Sequence, residues 1–443
     1  MVGTITGNSR KGKTMKIEVK ERKCSFCGKD IPEVEPLIRV GKSVNSTTIC
    51  RSCANRCVEL FAKQNDGKKS GKKTSLLKPQ EIKTFLDAYV IGQEEVKKTL
   101  AVAVYNHYKR IKSSLKSVEI QKSNILLVGP TGSGKTYMVR SLAKMLDVPF
   151  VVADATSITQ AGYIGADAED MLVQLIAAAN GDIKKAETGI IYIDEIDKLS
   201  RNRRQAGHAD PSSDGAQQAL LKIIEGETVQ LSDRKTGGET QTMNTSNILF
   251  ICGGAFDGIE DIIQARLHKN DRGQIGFNSV TKKDEEQDKE KLLQDVQMED
   301  LMKYGMMPEF IGRLPVVAVL NKLSRADLKR ILVEPKNALT KQYQGLLRMD
   351  GVKLSFTDEA ITAIADAAMQ RKTGARGLRS ILEHSMKPIM YTLPSHPEIA
   401  ECIITKDVIT NATLPVLKKR TAGTAKSVVK NKFKIERGTQ GNC

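Results

Sequence analysis

The fold is decided by the stretch Gly129-Pro130-Thr131-Gly132-Ser133-Gly134-Lys135-Thr136, which directly follows the apolar run Ile125–Val128. Its spacing matches the phosphate loop that joins a strand to a helix in nucleotide-binding proteins. Glycines let backbone N–H groups wrap around phosphate oxygens, the lysine reaches the β and γ phosphates, and the threonine hydroxyl suits Mg2+. From Tyr137 onward an amphipathic pattern predicts a helix whose N-terminus faces the bound anion. A Gly-rich turn that binds nothing is the alternative.

A second apolar run, Ile190–Ile193, ends in the two carboxylates Asp194 and Glu195. In nucleotide-hydrolysing proteins the first carboxylate of such a pair holds the Mg2+ shell, and the second orients and activates the attacking water. An acidic pair at a strand end says little by itself. When such a pair follows a phosphate loop by about sixty residues, the combination predicts the second half of an NTPase site.

Apolar runs alternate with helical patterns along the middle of the chain, which predicts an α/β fold with a parallel sheet and ligands at the carboxyl ends of its strands. Five runs are predicted as strands: Ile125–Val128, Pro149–Asp154, Ile190–Ile193, Asn247–Cys252 and Val316–Leu320. The polar residues 199–216 predict a loop before a helix at Gln217–Glu225. From Ser324, a helix cap, the pattern becomes helical and predicts a small, mostly helical second domain.

Two Cys-x-x-Cys pairs, Cys24 with Cys27 and Cys50 with Cys53, lie near the start of the chain. Each pair can present two thiolates at a tight turn, and two such turns complete a tetrahedral zinc site. We therefore predict a small zinc-binding domain with four cysteine ligands, whose metal supplies folding energy. A redox dithiol is the alternative, and Cys57 is expected to be a packed thiol rather than a fifth ligand.

The distribution of apolar and charged residues excludes some classes of protein. No run of eighteen or more apolar residues occurs, and the first twenty residues lack the apolar core of a secretory signal, so we expect a cytoplasmic protein without a membrane partner. Residues 1–23, 62–78 and 415–443 together account for the whole net charge of +17. Solvated basic segments explain this charge, and salt-sensitive binding to nucleic acid or an acidic partner is the alternative.

These observations predict six segments in chain order. They are a basic tail (1–21), a zinc-binding domain (22–61), a flexible linker (62–78), a large α/β ATPase domain (79–318), a small domain (319–414) and a basic disordered tail (415–443).

Two short apolar stretches lie in polar surroundings, namely Gly162-Tyr163-Ile164-Gly165 and Gln274-Ile275-Gly276-Phe277. From physics alone the first favours a turn tucked against the core over an exposed loop tip. The second fits a docking role and simple anchoring to its own domain equally well.

Together these residues closely resemble the ClpX family, the zinc-bearing AAA+ unfoldases that feed the ClpP peptidase. The resemblance covers residues 22–415 and rests on motifs in a fixed order. They are Cys-Ser-Phe-Cys-Gly-Lys at 24–29, the phosphate loop at 129–136, Ile-Asp-Glu-Ile-Asp-Lys at 193–198, Phe-Ile-Cys-Gly-Gly-Ala-Phe at 250–256, Pro-Glu-Phe-Ile-Gly-Arg-Leu-Pro at 308–315 and Lys-Thr-Gly-Ala-Arg-Gly-Leu-Arg at 372–379.

The resemblance implies an ATP-dependent unfoldase that uses ATP, Mg2+ and Zn2+. It implies a homo-hexameric ring that unfolds tagged proteins, with possible adaptors, and threads them into a ClpP-type peptidase. Arg313 matches the arginine finger offered to a neighbouring subunit's ATP, and Arg376 matches the sensor arginine of the small domain. Val90 and Ile91 match the stretch that lines the adenine pocket.

The resemblance also reverses the interpretation of the two apolar stretches. Tyr163 and Ile164 fall on the family's pore loop, which implies that they grip the substrate polypeptide. Ile275, Gly276 and Phe277 match the loop that docks into pockets of the peptidase ring.

The sequence departs from the family at two points. Thr236 stands where the pore-entrance loop usually has a histidine, and the zinc hairpin is longer and both tails more basic than is usual in the family. The sequence assigns no first-sensor residue, because Gly253 and Gly254 end the strand where many AAA+ proteins carry a polar side chain. Two rival functions stay open: a chaperone-type remodeller without a peptidase, and a nucleic-acid-stimulated AAA+ ATPase that the basic tails would suit. The location of the charge makes nucleic acid the less expected partner.

Overall fold

The computed structural model describes residues 23–30, 38–40, 47–58, 76–113, 118, 120–159, 166–200, 211–231, 241–268, 291–371 and 373–420. The chain divides into two units, residues 1–75 and 76–443. In the first unit, strands β1 (Ile38–Val40) and β2 (Thr47–Ile49) pair antiparallel, and residues 51–58 are helical.

A five-stranded sheet forms the centre of the second unit. Its strands are β3 (Ile125–Val128), β4 (Phe150–Asp154), β7 (Ile190–Asp194), β10 (Leu249–Gly254) and β11 (Val316–Val319). They are all parallel and lie in the order β11-β3-β10-β7-β4. Each of the five predicted strands is therefore present, and the predicted parallel α/β sheet is confirmed. Every residue of β3 and β10 is buried, as expected for a sheet covered on both faces.

Helices cover both faces of this sheet, and alternate residues of its strands enter different cores. Ile191 and Ile193 belong to one hydrophobic cluster, whereas Ile190 and Tyr192 belong to the other. The helices are α1 (Pro79–Asp87), α2 (Glu94–Ile111), α3 (Lys135–Leu146), α4 (Asp170–Ala178), α5 (Ile183–Ala186), α6 (Pro211–Glu225), α7 (Ile259–His268), α8 (Met298–Tyr304) and α9 (Pro308–Gly312).

Two short strand pairs flank the main sheet. Strands β5 (Ile158–Thr159) and β6 (Ala166–Asp167) are parallel. Strands β8 (Thr228–Leu231) and β9 (Gln241–Asn244) are antiparallel.

Residues 325–419 form a mostly helical region with a hydrophobic core of its own. Its helices are α10 (Arg325–Val333), α11 (Leu339–Met349), α12 (Asp358–Gln370), α13 (Ala375–Thr392) and α14 (Lys406–Thr410). Ser324 caps α10 as predicted, because its hydroxyl accepts from the Asp327 amide while the Asp327 carboxylate accepts from the Ser324 amide.

This region also contains a three-stranded sheet that no pattern in the sequence predicts. The strands are β12 (Lys353–Phe356), β13 (Ile399–Ile404) and β14 (Val416–Lys419), in that order. Strand β14 lies within residues 415–443, which were expected to be disordered. It pairs antiparallel with β13, and the Lys418 ammonium lies 2.7 Å from the Glu401 carboxylate across the pair. This cross-strand ion pair supports a strand in a segment whose basic composition resembles a tail.

A further correction concerns residues 199–216, which were predicted to form a loop before a helix at Gln217. Helix α6 begins at Pro211 instead. Proline at the first helical position and Asp214 in the first turn both favour a helix start without any apolar periodicity. In the part of the chain that the structure describes, no helix has the length and apolar composition that a membrane span needs.

Candidate nucleotide and zinc sites

The phosphate loop lies where the sequence predicts it, between the end of β3 and the start of α3. Gly132 and Gly134 adopt φ angles of 82° and 100°, a region that glycine enters at little cost. Lys135, the first residue of α3, is buried, and its Nζ donates to the carbonyl oxygens of Gly129 at 2.5 Å and Pro130 at 3.2 Å. Burial lowers the pKa of Lys135, while the carboxylates of Asp194 and Asp197 act in the opposite direction.

Asp194 ends β7 beside this loop, and both of its carboxylate oxygens are engaged. Oδ2 accepts from the Thr136 hydroxyl at 2.9 Å. Oδ1 accepts from the Tyr192 hydroxyl at 3.0 Å and from the Glu195 amide at 3.0 Å. Burial, and after it the nearby Asp194, raises the pKa of Tyr192, so its hydroxyl stays protonated and donates. The carboxylate is therefore fixed in orientation.

The pair formed by Thr136 and Asp194 fits Mg2+. Adjacent ligands of an octahedral Mg2+ ion with bonds of 2.0–2.1 Å are about 2.9 Å apart. The hydrogen bond of 2.9 Å from Thr136 Oγ1 to Asp194 Oδ2 holds the two oxygens at a distance compatible with that spacing, and both are the kind of oxygen ligand that Mg2+ prefers.

Glu195 follows in a left-handed backbone conformation, with φ 57° and ψ 33°. Non-glycine residues rarely adopt this region, and such strained residues cluster at functional sites. The side chain of Glu195 is exposed and lines the cleft beside the phosphate loop. Its carboxylate can therefore reach a water molecule in that cleft.

The cleft has a volume of about 720 Å³ and lies between the phosphate loop and the helical region that starts at α10. Its apolar wall suits a base, and its other walls carry the polar and charged groups described above. The apolar wall is made of Tyr89, Val90, Ile91, Leu323, Ile331, Ala338 and Leu339. Arg376, at the start of α13, also lines the cleft.

Backbone contacts join the phosphate loop to this helical region. The Ala375 amide donates to the Gly132 carbonyl at 3.2 Å, and a Cβ on Gly132 would lie 2.7 Å from the Thr373 carbonyl oxygen. On the same side, the Tyr137 hydroxyl donates to Asn337 Oδ1 at 2.9 Å. The nucleotide cleft is therefore closed by direct contacts between the two regions.

Arg313 is not brought into this cleft. It caps the C-terminal end of α9, and its Nη2 lies 2.8 Å from Glu225 Oε1 at the end of α6. About half of its side chain is exposed to solvent. Among the predicted hydrolytic residues that the structure describes, Glu195 and Arg376 line the cleft and Arg313 does not.

The predicted pore and docking residues Tyr163, Ile164, Ile275, Gly276 and Phe277 lie outside the described residues. Thr236 does so as well.

Sequence reasoning missed Tyr192 and Asn337. Tyr192 sits inside the apolar run that forms β7, and nothing in that pattern distinguishes it from a core residue. Asn337 lies between two helices of the mostly helical region, residues 325–419, which we call the second region. Only the packing of this second region brings Asn337 to Tyr137.

Four cysteine sulfur atoms form the predicted zinc site, since those of Cys24, Cys27, Cys50 and Cys53 all lie within 4.8 Å of one another. The sulfur atoms of Cys27 and Cys50 are 3.9 Å apart. A tetrahedral zinc ion with Zn–S bonds of 2.3 Å requires sulfur atoms about 3.8 Å apart, so the geometry fits. Cys57 is not part of this cluster.

The surroundings of Cys24 favour the thiolate that zinc needs. Burial raises the pKa of Cys24, but backbone amides of Cys27, Cys50 and Phe26 donate to its sulfur and bring the pKa down to about 6. The Cys50 amide lies 3.3 Å from that sulfur.

Three protein families match consecutive parts of the chain. Residues 22–63 match the ClpX C4-type zinc finger, residues 120–317 the AAA domain of the Cdc48 subfamily, and residues 323–406 the C-terminal D2-small domain of ClpB protein. The matches place zinc with the first unit and ATP with Mg2+ in the second.

Two relatives are similar over nearly the whole chain. Each is an "ATP-dependent Clp protease ATP-binding subunit ClpX", one from Borrelia duttonii (strain Ly) and one from Borrelia recurrentis (strain A1). Each is 48% identical over 418 residues, which cover 92% of this chain and 94% of the relative.

Proposed function

Because this chain belongs to the ClpX family and is an ATPase rather than a peptidase, we propose that it unfolds proteins with the energy of ATP hydrolysis. In this proposal a homo-hexameric ring recognises tagged substrates, draws them through its pore and threads them into a ClpP-type peptidase.

One observation carries the proposal of a ring. The groups proposed for ATP binding and water activation line one cleft, whereas Arg313 projects elsewhere and pairs with Glu225. An arginine finger is worth roughly a thousandfold or more in turnover, so a chain whose Arg313 lies outside its own cleft gains most if a second copy supplies that residue. This arrangement supports a ring in which Arg313 completes the ATP site of the next subunit.

Within each subunit the remaining roles follow from position. Gly129, Pro130, Thr131, Gly132, Ser133, Gly134 and Lys135 would cradle the phosphates, and Thr136 and Asp194 would hold Mg2+, which neutralises charge on the phosphates. Val90 and Ile91 would pack on the base, and Tyr137 would brace the cleft through Asn337. Glu195 would orient the attacking water and take its proton. Arg376 would contact the phosphates from α13.

Force would pass from the cleft to the second region through α13. Arg376 stands one residue after Ala375, whose amide bonds the phosphate loop. A change in the phosphate contact of Arg376 would therefore alter the angle between the two regions. We propose that this motion carries Tyr163 and Ile164 along the pore, and that Ile275, Gly276 and Phe277 hold the peptidase.

The ring is tested by mixing two inactive variants. Glu195→Gln lacks the water-activating carboxylate but keeps Arg313, whereas Arg313→Ala keeps an intact cleft but offers no finger. Each variant alone is expected to lose ATPase activity. In mixed rings, an Arg313→Ala subunit can receive the finger of a Glu195→Gln neighbour, so activity should reappear.

Two results would count against this proposal. Full ATPase activity of Arg313→Ala alone would remove the finger role. Co-assembled rings that show no recovered activity would argue that Arg313 acts within its own subunit.

A further inference from the structure

Tyr192 is a buried polar residue of the described chain to which the proposed function gives no role. It lies on β7, two residues before Asp194, and is fully buried. Its hydroxyl donates to Asp194 Oδ1 at 3.0 Å. Phenylalanine would fill the same space without that hydroxyl.

Gly253, near the end of the adjacent strand β10, makes room for this hydroxyl. A Cβ on Gly253 would lie 2.0 Å from the Tyr192 hydroxyl oxygen and 2.8 Å from its ring Cζ. Any side chain at position 253 would therefore displace the tyrosine. The polar atom at this place therefore comes from β7, while β10 contributes only the backbone of Gly253.

The hydroxyl controls the orientation of Asp194. Oδ1 accepts hydrogen bonds from the Tyr192 hydroxyl and the Glu195 amide, and rotation of the carboxylate would break both of them. Oδ2 is left 2.9 Å from the Thr136 hydroxyl, the spacing that suits Mg2+. Without Tyr192, one of the two donors that fix Oδ1 is lost.

We propose that Tyr192 is a positioning residue for Mg2+-dependent nucleotide binding. The proposal rests on the role of Asp194 in the Mg2+ shell, which is itself part of the proposed function. Tyr192 is buried and does not line the cleft, so it acts through Asp194.

The test measures how strongly Mg2+ assists nucleotide binding, independently of hydrolysis. A fluorescent ADP analogue is bound to the full-length protein while Mg2+ is titrated. Hydrogen bonds to charged groups are among the stronger ones, so Tyr192→Phe should raise the half-saturating Mg2+ concentration about tenfold. Binding without added Mg2+ should not change.

Tyr108→Phe is the matched control. Tyr108 is buried in the same hydrophobic cluster, and its hydroxyl donates to the Thr188 carbonyl at 3.2 Å, away from the cleft. This variant loses one buried tyrosine hydroxyl, as Tyr192→Phe does, and its Mg2+ dependence should be that of the unaltered protein.

Gly253→Ala provides a second variant, because it keeps the hydroxyl but displaces it from Asp194. It should also raise the half-saturating Mg2+ concentration. Normal Mg2+ dependence in folded Tyr192→Phe would overturn the proposal, and so would equal shifts in Tyr192→Phe and Tyr108→Phe.

Asp194→Asn distinguishes a failure of the proposed Asp194 role from a failure of the inference about Tyr192. If this variant keeps normal Mg2+ dependence, the role of Asp194 is wrong, and the inference about Tyr192 falls with it. If Asp194→Asn loses the Mg2+ effect while Tyr192→Phe retains it, only the inference about Tyr192 is wrong.

Discussion

Replacing Gly132 with alanine should open the contact between the phosphate loop and the second region. The new Cβ would lie 2.7 Å from the Thr373 carbonyl oxygen. Ordinary C···O contacts start at about 3.3 Å, so the two backbones would have to separate by about 0.6 Å. The neighbouring hydrogen bond from the Ala375 amide to the Gly132 carbonyl, already 3.2 Å long, would be lost.

Two energetic contributions set how much easier this opening becomes, namely backbone strain and a lost hydrogen bond. The φ angle of 82° costs alanine about 1 kcal/mol relative to glycine. The lost hydrogen bond contributes about 1 kcal/mol more. Opening of the contact should therefore become easier by about 2 kcal/mol, which is roughly a 30-fold change in its equilibrium constant.

Amide hydrogen exchange measures this opening directly, because the Ala375 amide is the donor of the bond that breaks. Exchange of the peptide that contains Ala375 should become roughly 30-fold faster in Gly132→Ala. Gly134→Ala is the control, since its φ of 100° imposes similar strain but no atom lies within 4 Å of its Cβ. Unchanged exchange in Gly132→Ala, or an equal change in Gly134→Ala, would refute the reasoning.

Three further predictions follow from the proposed roles. Glu195→Gln should bind ATP with near-normal affinity and hydrolyse it at least about a hundredfold more slowly, and normal turnover would exclude water activation by Glu195. Phe277→Ala should keep ATPase activity but lose peptidase binding and degradation, so unchanged peptidase binding would contradict the docking role. Cys27→Ser should release zinc and unfold the first unit, because three thiolates no longer complete the site. Its ATP affinity should be normal, since every residue lining the cleft belongs to the second unit, and weaker ATP binding would contradict this separation.

The sheet could be predicted from the sequence because its strands are continuous apolar runs separated by helical patterns, and the strands β3 and β10 are buried on both faces. The phosphate loop and Asp194 could be placed because they follow two of these runs directly. The zinc ligands Cys24, Cys27, Cys50 and Cys53 could also be predicted, because each Cys-x-x-Cys pair presents two thiolates at one turn. The fold then brings the two pairs together.

The small sheet of the second region could not be predicted, because pairing between distant strands decides it. Strand β12 is short and only partly buried, and β14 resembles a basic tail until it pairs with β13. The start of α6 was placed too late because proline and polar residues open it.

Parts of the site depend on packing that no local pattern reveals. Val90 belongs to an apolar cluster, and the position of Val90 and Ile91 on the cleft wall depends on how the chain returns to the phosphate loop. The two glycines at the end of β10 gave no sign of why a polar side chain is absent. The structure supplies the reason, since Tyr192 from β7 fills the space above Gly253.

The central claim is that ATP hydrolysis by this chain unfolds proteins and delivers them to a peptidase. The most direct measurement uses a stably folded, tagged fluorescent substrate with this protein and ATP, with and without a ClpP-type peptidase. We predict ATP-dependent loss of fluorescence, and degradation to peptides only when the peptidase is present. ATP hydrolysis with full retention of substrate fluorescence under both conditions would contradict it, as would ATPase activity that depends on DNA or RNA and disappears in salt.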